Sequence, residues 1–490
     1  MKLSFHILII FGNFGALLRR ITMNELLTQV NNILWGYVLV AALIGCGVWF
    51  TLKTRGAQFR MVGEMFRLLT ESATSGAGNH TGQRHISSFQ AFAVSVATRV
   101  GTGNLAGVAT AITLGGPGAI FWMWIIALLG SSTAFIESTL AQLFKQRHKE
   151  SFLGGPAYYI QKGLHCKWMA YLFALLISVN FGMSNNSIQS NTICGAMQEA
   201  FGWHPLVVGA VLSALALLIV FGGIHRIANI SSVLVPIMAI GYFIVAFIIV
   251  LINIQVVPHV LKIIVTNAFG WEQGISGAIG ATIMSGVKRG LFSNEAGEGS
   301  APNVAATAAT SHPVKQGLIQ ALGVFTDTLV VCSCTAFIIL ISGLYNVPGL
   351  DGIKLTQAAL TNEIGSFGNY FIATAILLFA FSSIIGNYYY GEANIRFMTS
   401  RQYVLTIYRL ISGCVVIMFG AMASLEMVWN VGDFSMALQT ACNLVAIIAL
   451  GKYAFLLLDD YRKQKRNGIK EPVFHRSQLP EIEKDIECWE

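Results

Sequence analysis

The sequence predicts an all-α polytopic membrane protein with about 11 transmembrane helices, and three observations carry that expectation. Only 11% of the 490 residues are charged while 54% are hydrophobic, and the mean hydropathy is +0.64. A soluble chain carries roughly 25% charged residues to cover its surface. The apolar residues come in runs much longer than the about 9–11 residues of a barrel strand, so helices are the spanning element. The net charge of +8 sits in short loops between those runs, which is a topology signal rather than a nucleic-acid footprint. The same arithmetic excludes a soluble enzyme, a nucleic-acid binder and a disordered chain.

Residues 1–22 stand apart. Phe5 to Leu18 is a short apolar run followed by Arg19 and Arg20, without a clear cleavage site, and Met23 is a plausible start of its own. The segment is expected to be an extension outside the fold. The spans then run over 33–52, 88–114, 118–144, 168–197, 205–223, 227–254, 274–300, 316–344, 369–390, 402–422 and 433–457. One set of loops collects Lys53, Arg55, Arg60, Arg67, Arg84, Lys145, Arg147, Lys162, Lys288, Arg289, Lys315, Arg396 and the bases of the tail, while the opposite loops hold only Lys262 and Lys354. This bias places the C-terminus in the cytoplasm and the start of the first span outside.

The spans are interrupted in two places. The second holds Thr98-Arg99-Val100-Gly101-Thr102-Gly103-Asn104, and the seventh holds Met284-Ser285-Gly286 followed by Lys288 and Arg289. They lie five spans apart, so they cross the membrane in opposite directions. Two Gly-interrupted helices in inverted halves point to a secondary transporter with a site at mid-membrane. Domain boundaries follow: 23–87 an extra helix and basic loop, 88–254 a first five-helix repeat, 255–457 a second, and 458–490 a cytoplasmic tail.

A broken helix frees N–H groups on one half, which suit a carboxylate, and carbonyls on the other, which suit Na⁺. The bland alternative for the Gly pair is close helix packing. Arg99 is the most expensive residue in the membrane and needs a partner or a wet cavity. A tie to Glu137 or Asp327, the acids of spans three and eight, would satisfy it. Glu137 lies near the basic loop, so a structural role leads there. Glu295 and Glu298 are expected to pair with Lys288 and Arg289 as gate groups. Span four carries Gln189 and Thr192 on one face, where they line a polar cavity or bond between helices. Span nine carries Ser382, Ser383 and Asn387, and its two Ser hydroxyls suit Na⁺ or bond back to their own helix.

The eight Cys lie mostly inside apolar runs, and Cys332-Ser333-Cys334 is too tight for a usual metal pair, so they read as small fillers. No HExxH, Walker or GxSxG pattern occurs, which leaves no engine for ATP-driven transport and no hydrolase nucleophile. No cofactor is expected beyond a co-transported ion.

Four stretches together resemble the alanine/glycine:cation symporters, also called amino-acid carrier proteins. They are TRVGTGNLAGVA from Thr98 to Ala109, GGPGAIFWMW from Gly115 to Trp124, GGPAYY from Gly154 to Tyr159, and GLFSNEAGEGSAPN from Gly290 to Asn303. The resemblance covers about residues 23 to 460. It implies a leucine-transporter-type five-plus-five inverted repeat with one additional N-terminal helix. It implies a bacterial inner-membrane symporter of a small neutral amino acid (alanine, glycine, serine or glutamine) with Na⁺ or H⁺, working by alternating access with no obligatory protein partner. By the same resemblance Thr102, Gly103 and Asn104 meet the amino-acid carboxylate. Gln189 and Thr192 are polar positions of the third core helix, and Met284, Ser285 and Gly286 form the break of the sixth. Ser382 and Ser383 join carbonyls near Ala97 and Val100 at a sodium site. Asn387 stands where many relatives carry Trp, which implies a pocket for a larger or more polar side chain. Arg99, not universal in the family, could replace a second ion and leave one Na⁺ per amino acid. A channel or a non-transporting sensor is the rival class; a channel would want rings of like groups or a continuous polar stripe.

Overall fold

The computed structural model describes residues 23–75, 86–148, 151–270 and 276–489. The extension 1–22 and Arg84 lie outside the described residues. Among the described residues, eight helices are long and apolar enough to cross a membrane. In chain order with the broken and shorter ones they are α1 (Asn24–Lys53), α2 (Ser88–Arg99), α3 (Gly103–Gly115), α4 (Ala119–Leu143), α5 (Lys167–Phe201), α6 (Pro205–Val220) and α7 (Gly223–Ile252). There follow α8 (Ser276–Asn294), α9 (Pro302–Ala305), α10 (Pro313–Ser342), α11 (Ser366–Met398), α12 (Gln402–Met422) and α13 (Leu425–Arg466). Each expected apolar run contains helix among its described residues. The runs that are not among the eight are the one broken into α2 and α3, the 16-residue α6, and α8.

Local chemistry sets the interruptions. Ser87 and Gln90 form a capping box that starts α2. The helix stops at Arg99 because Val100 adopts φ −79° and ψ 85°, outside the helical region. α8 runs on without a break through Met284, Ser285 and Gly286, so the expected interruption there is corrected. It ends ten residues later, where Glu295, Gly297 and Gly299 take φ of 59°, 99° and 77°. Pro302 then opens the single turn α9.

The helices α10 and α4 pack along one another, as do α11 and α5. α1 and α13 lie side by side and parallel: Asn24 Nδ2 donates to Glu426 Oε1 at 2.7 Å near their starts, and Arg462 Nη2 donates to the Thr54 carbonyl at 2.8 Å near their ends. The latter end is the basic one. The connections also carry helices not expected from the sequence, over Val62–Ser75, Pro156–Gly163, Val257–Ala268 and Gly352–Ile364, and a hairpin of Gln146–His148 with Ser151–Leu153.

The tail folds back across the basic end. Phe474, Leu479, Ile482, Ile486 and Trp489 are buried. The Phe474 N–H donates to the Ser311 carbonyl at 3.0 Å, and Trp489 Nε1 donates to the Gln142 carbonyl at 3.0 Å. Lys145 lies between the rings of Phe152 and Trp489, 4.2 and 4.6 Å from their centroids.

Candidate functional site

The turn between α2 and α3 frees backbone N–H groups in a buried place, and buried donors need partners. The Gly101 N–H donates to Asn104 Oδ1 at 2.9 Å, and the Thr102 N–H donates to Gln189 Oε1 at 2.9 Å. A side chain on Gly101 has no room. Its Cβ would collide with Ser383 Oγ and stand 2.9 Å from Gln189 Oε1. On the other half of the break, the Ala97 carbonyl accepts from Ser383 Oγ at 2.9 Å and from Ser382 Oγ at 3.3 Å. Both hydroxyls also bond back to the Phe379 carbonyl. Ala97, Ser382, Ser383 and Gln189 therefore meet at the first break, with Val100 buried in the turn itself.

Asp327 joins the two broken helices. Its Oδ1 accepts from Asn104 Nδ2 at 2.7 Å, and its Oδ2 accepts from Ser293 Oγ at 2.7 Å and Thr328 Oγ1 at 2.9 Å. Gly103 sits close against this second helix: a Cβ there would lie 3.0 Å from Ser293 Cα and 3.2 Å from the Phe292 ring.

The second break is organised by carboxylates. Glu137 accepts from the Gly297 and Gly299 N–H groups at 3.4 and 3.1 Å and from Asn443 Nδ2 at 2.9 Å. Glu295 Oε2 accepts from Ser300 Oγ at 2.6 Å and from Thr98 Oγ1 at 3.3 Å, which ties this break to α2. The short α9 is held at its carbonyl end, where Gln142 Nε2 donates to the Ala305 and Ala308 carbonyls and Lys145 Nζ donates to the latter.

Three expectations are corrected here. Lys288 and Arg289 do not pair with Glu295 or Glu298 and do not lie in a basic loop. Both reach Asp433 Oδ2 in α13, at 2.9 and 2.7 Å, within the bundle. Met284, Ser285 and Gly286 pack α8 against the far ends of α3 and α4 rather than forming a break. Ser285 touches Gly115, and Gly286 faces Ala119 and Trp122. Arg99 is tied to neither Glu137 nor Asp327. Its Nη1 donates to the Gln320 carbonyl at 3.3 Å, and its Nε and Nη2 are buried with no partner among the described residues.

The remaining candidates are buried near these groups. Thr192 Oγ1 donates to its own helix at the Ile188 carbonyl, 3.0 Å away. Asn387, one turn along α11 from Ser383, keeps its Oδ1 without a partner among the described residues, as does the Thr102 hydroxyl. Buried polar atoms of this kind call for a hydrogen-bond partner.

The sequence matches the sodium:alanine symporter family over residues 20–476. The chain belongs to that family. It is therefore a multi-pass transporter and not an enzyme. Among relatives, it is 51% identical over 459 residues to the probable sodium/glutamine symporter GlnT of Bacillus subtilis, covering 94% of each chain. It is 48% identical to the amino-acid carrier protein AlsT of Bacillus subtilis, covering 95% of this chain and 98% of the other. It is 36% identical to the sodium/alanine symporter AgcS of Methanococcus maripaludis, covering 91% and 99%.

Sequence reasoning missed four groups of this symporter. Phe292 and Ser293 face the first break, yet only their stretch was singled out. Trp429 forms an edge contact with Phe292 at 4.7 Å and lies under the Arg289 guanidinium at 4.0 Å. Asp433 was an acid within span eleven, which is itself the signal of a buried ionic partner.

Proposed function

We propose that this symporter imports a small neutral amino acid together with Na⁺, exposing one site alternately to the two sides of the membrane about the α2–α3 and α8–α9 breaks. The observation that supports this best is the convergence on Gly101: freed N–H groups on one side, and on the other a carbonyl bridged by two hydroxyls. The N–H groups of Gly101 and Thr102 are held by the neutral amides of Asn104 and Gln189. A substrate carboxylate competes well for them, because a charge-assisted hydrogen bond is roughly twice as strong as a neutral one. Gly103 allows the close approach, and Thr102, Thr192 and Asn387 line the rest of the pocket. Phe292 and Ser293 take the place expected of Met284 to Gly286.

Ser382, Ser383 and the carbonyls of Ala97 and Val100 form the Na⁺ site in this reading. Four oxygens from two helices suit a hard cation, and Na⁺ bound there would draw α11 against α2. Arg99 supplies a fixed positive charge beside the turn, which disfavours a second ion and gives one Na⁺ per substrate. The two breaks belong to two inverted five-helix halves, with α1 added, and the basic end of the bundle faces the cytoplasm. The Asn387 Oδ1, without a partner among the described residues, and the likeness to GlnT favour glutamine as well as alanine among the substrates.

Uptake into proteoliposomes tests this, with a panel of neutral amino acids and separately imposed Na⁺ and H⁺ gradients. The expected result is accumulation of glutamine or alanine driven by Na⁺, with counterflow of labelled against unlabelled substrate. Flux without counterflow would make the protein a channel, and binding without flux would make it a sensor.

A further inference from the structure

The basic end of α1 and α13 carries a cluster of cations outside the proposed transport site. One cavity of about 340 Å³ is lined by Arg55, Arg462, Lys463 and Arg466, with Asp459 and Asn467 at its edge. A second cavity of about 330 Å³ shares Arg462 and Arg466 and adds Arg60, Lys465 and Glu64. Lys465 is neutralised by Glu64 at 3.2 Å, and Glu64 is itself taken by Arg67 and the Tyr461 hydroxyl. Among the described residues, Arg55, Arg60, Arg462, Lys463 and Arg466 have no carboxylate oxygen within 4.0 Å; the ion pairs at this end go to other bases. Five cations thus face two adjoining cavities whose carboxylates among the described residues are Asp459 and the already paired Glu64.

The cluster is built rather than merely solvated. Arg462 is fixed by its bond to the Thr54 carbonyl at 2.8 Å. Arg55 is held in the left-handed region at φ 54°, beside Gly56 at 64°. That conformation is costly for a residue with a Cβ and concentrates at functional places. Exposed apolar side chains lie near the cations: Leu52 is 70% exposed, three residues before Arg55, and Leu456 is 53% exposed, two helical turns before Lys463. Leu456, Asp459 and Lys463 share a face of α13, and Leu52 precedes Arg55 at the end of α1.

Cations at the ends of two parallel spans, with exposed apolar side chains on both spans, suit an amphiphile with an anionic head. We propose that this pair of cavities binds an anionic phospholipid whose headgroup carries two phosphates. One phosphate sits in each cavity, Arg462 and Arg466 lie between them, and the acyl chains run along Leu52 and Leu456. The shared chemistry is phosphate, which inorganic phosphate could also supply. The exposed Leu52 and Leu456 on the adjacent spans assign the site to lipid.

Native mass spectrometry of the full chain in detergent tests this, with tetraoleoyl cardiolipin, dioleoyl phosphatidylglycerol, dioleoyl phosphatidylcholine and inorganic phosphate as separate probes. The expected order is cardiolipin well above phosphatidylglycerol, with no retention of phosphatidylcholine or of inorganic phosphate. The double variant Arg462→Gln, Arg466→Gln should weaken cardiolipin about thirtyfold, from about 1 kcal/mol per base at the interface. The control Lys167→Gln, Lys484→Gln should leave it unchanged. If the double variant does not fold, the exposed single changes Arg55→Gln and Arg60→Gln should each weaken cardiolipin about fivefold by the same reckoning. Equal retention of cardiolipin by the cluster variants and the wild type overturns the proposal. So does equal affinity for the one- and two-phosphate lipids, or capture of inorganic phosphate as tight as that of lipid.

Discussion

The two helix breaks solve one problem with different chemistry. At the first, buried N–H groups of Gly101 and Thr102 are held by neutral amide oxygens of Asn104 and Gln189. At the second, the N–H groups of Gly297 and Gly299 are held by the Glu137 carboxylate, and the carbonyls after α9 by Gln142 and Lys145. Neutral caps are weak enough for a ligand to displace. A buried carboxylate on backbone donors is not, because leaving those donors bare costs the full desolvation penalty. The first break is thus suited to exchange partners during a cycle, and the second to act as a fixed pivot.

The largest expected effect tests that pivot. Glu137→Ala strips the acceptor from Gly297, Gly299 and Asn443, and should destabilise the protein by on the order of 3 kcal/mol. Glu137→Gln keeps an amide oxygen and should recover part of it. Thermal unfolding in detergent reads this, and an Ala variant as stable as wild type would make the second break self-supporting. The next largest contrast is between glycines. Gly101→Ala drives a Cβ into Ser383 and Gln189 and should lower substrate and Na⁺ affinity by about tenfold or more with the fold retained. Gly297→Ala, at φ 99°, should lower stability while leaving the affinity of the surviving protein near normal. If both variants lose affinity alike, the two breaks are one ligand site.

Much of the first break could be read from the chain. Gly101-Thr102-Gly103-Asn104 inside an apolar run is a local signal, and Ser382 and Ser383 were hydroxyls in a helix that had to bury them. The second break was misplaced by ten residues. Ser285-Gly286 beside two bases drew attention, although Gly297, Gly299 and Pro302 carried the stronger helix-breaking chemistry. Lys288 and Arg289 were counted as loop charges because their partner, Asp433, lies 144 residues away from Arg289 in sequence. Arg99 was recognised as costly, but no local pattern could show that a backbone carbonyl of α10 would receive it. Pairings between distant spans are set by tertiary packing, which periodicity does not encode.

Smaller effects sharpen the same contrast. Ser383→Ala removes one of two hydroxyls from the Ala97 carbonyl, and should raise the Na⁺ concentration for half-maximal uptake about tenfold. Substrate affinity at saturating Na⁺ should change little, with a Hill coefficient for Na⁺ near one in the wild type; a value clearly above one would remove Arg99 as a stand-in charge. Asn387→Trp should shift selectivity from glutamine towards alanine and glycine by several-fold in competition assays, and an unaltered profile would move the side-chain pocket elsewhere. The last effect is read as a pH slope and concerns Lys145, which lies just past α4. Burial pushes its amine down from 10.5 to about 7. The unfolded chain keeps that proton where the folded one has lost it, so this group makes stability rise with pH between about 7 and 10.5 and flat below. Lys145→Met should flatten that slope in thermal unfolding measured from pH 7 to 10. An unchanged slope would show that the Phe152 and Trp489 rings keep the amine charged.

The stack of Phe292, Trp429 and Arg289 has an optical consequence. Trp429 is 5% exposed, and its Nε1 has no partner among the described residues. An indole in such a setting emits at short wavelength, and the guanidinium 4.0 Å from its ring shifts that emission when the distance changes. Because the same ring lies beside Phe292 and Gly107 at the first break, movement of α8 or α13 during the transport cycle would register in its fluorescence. With the other tryptophans replaced by Phe, the protein would report its own cycle in real time, without an attached dye.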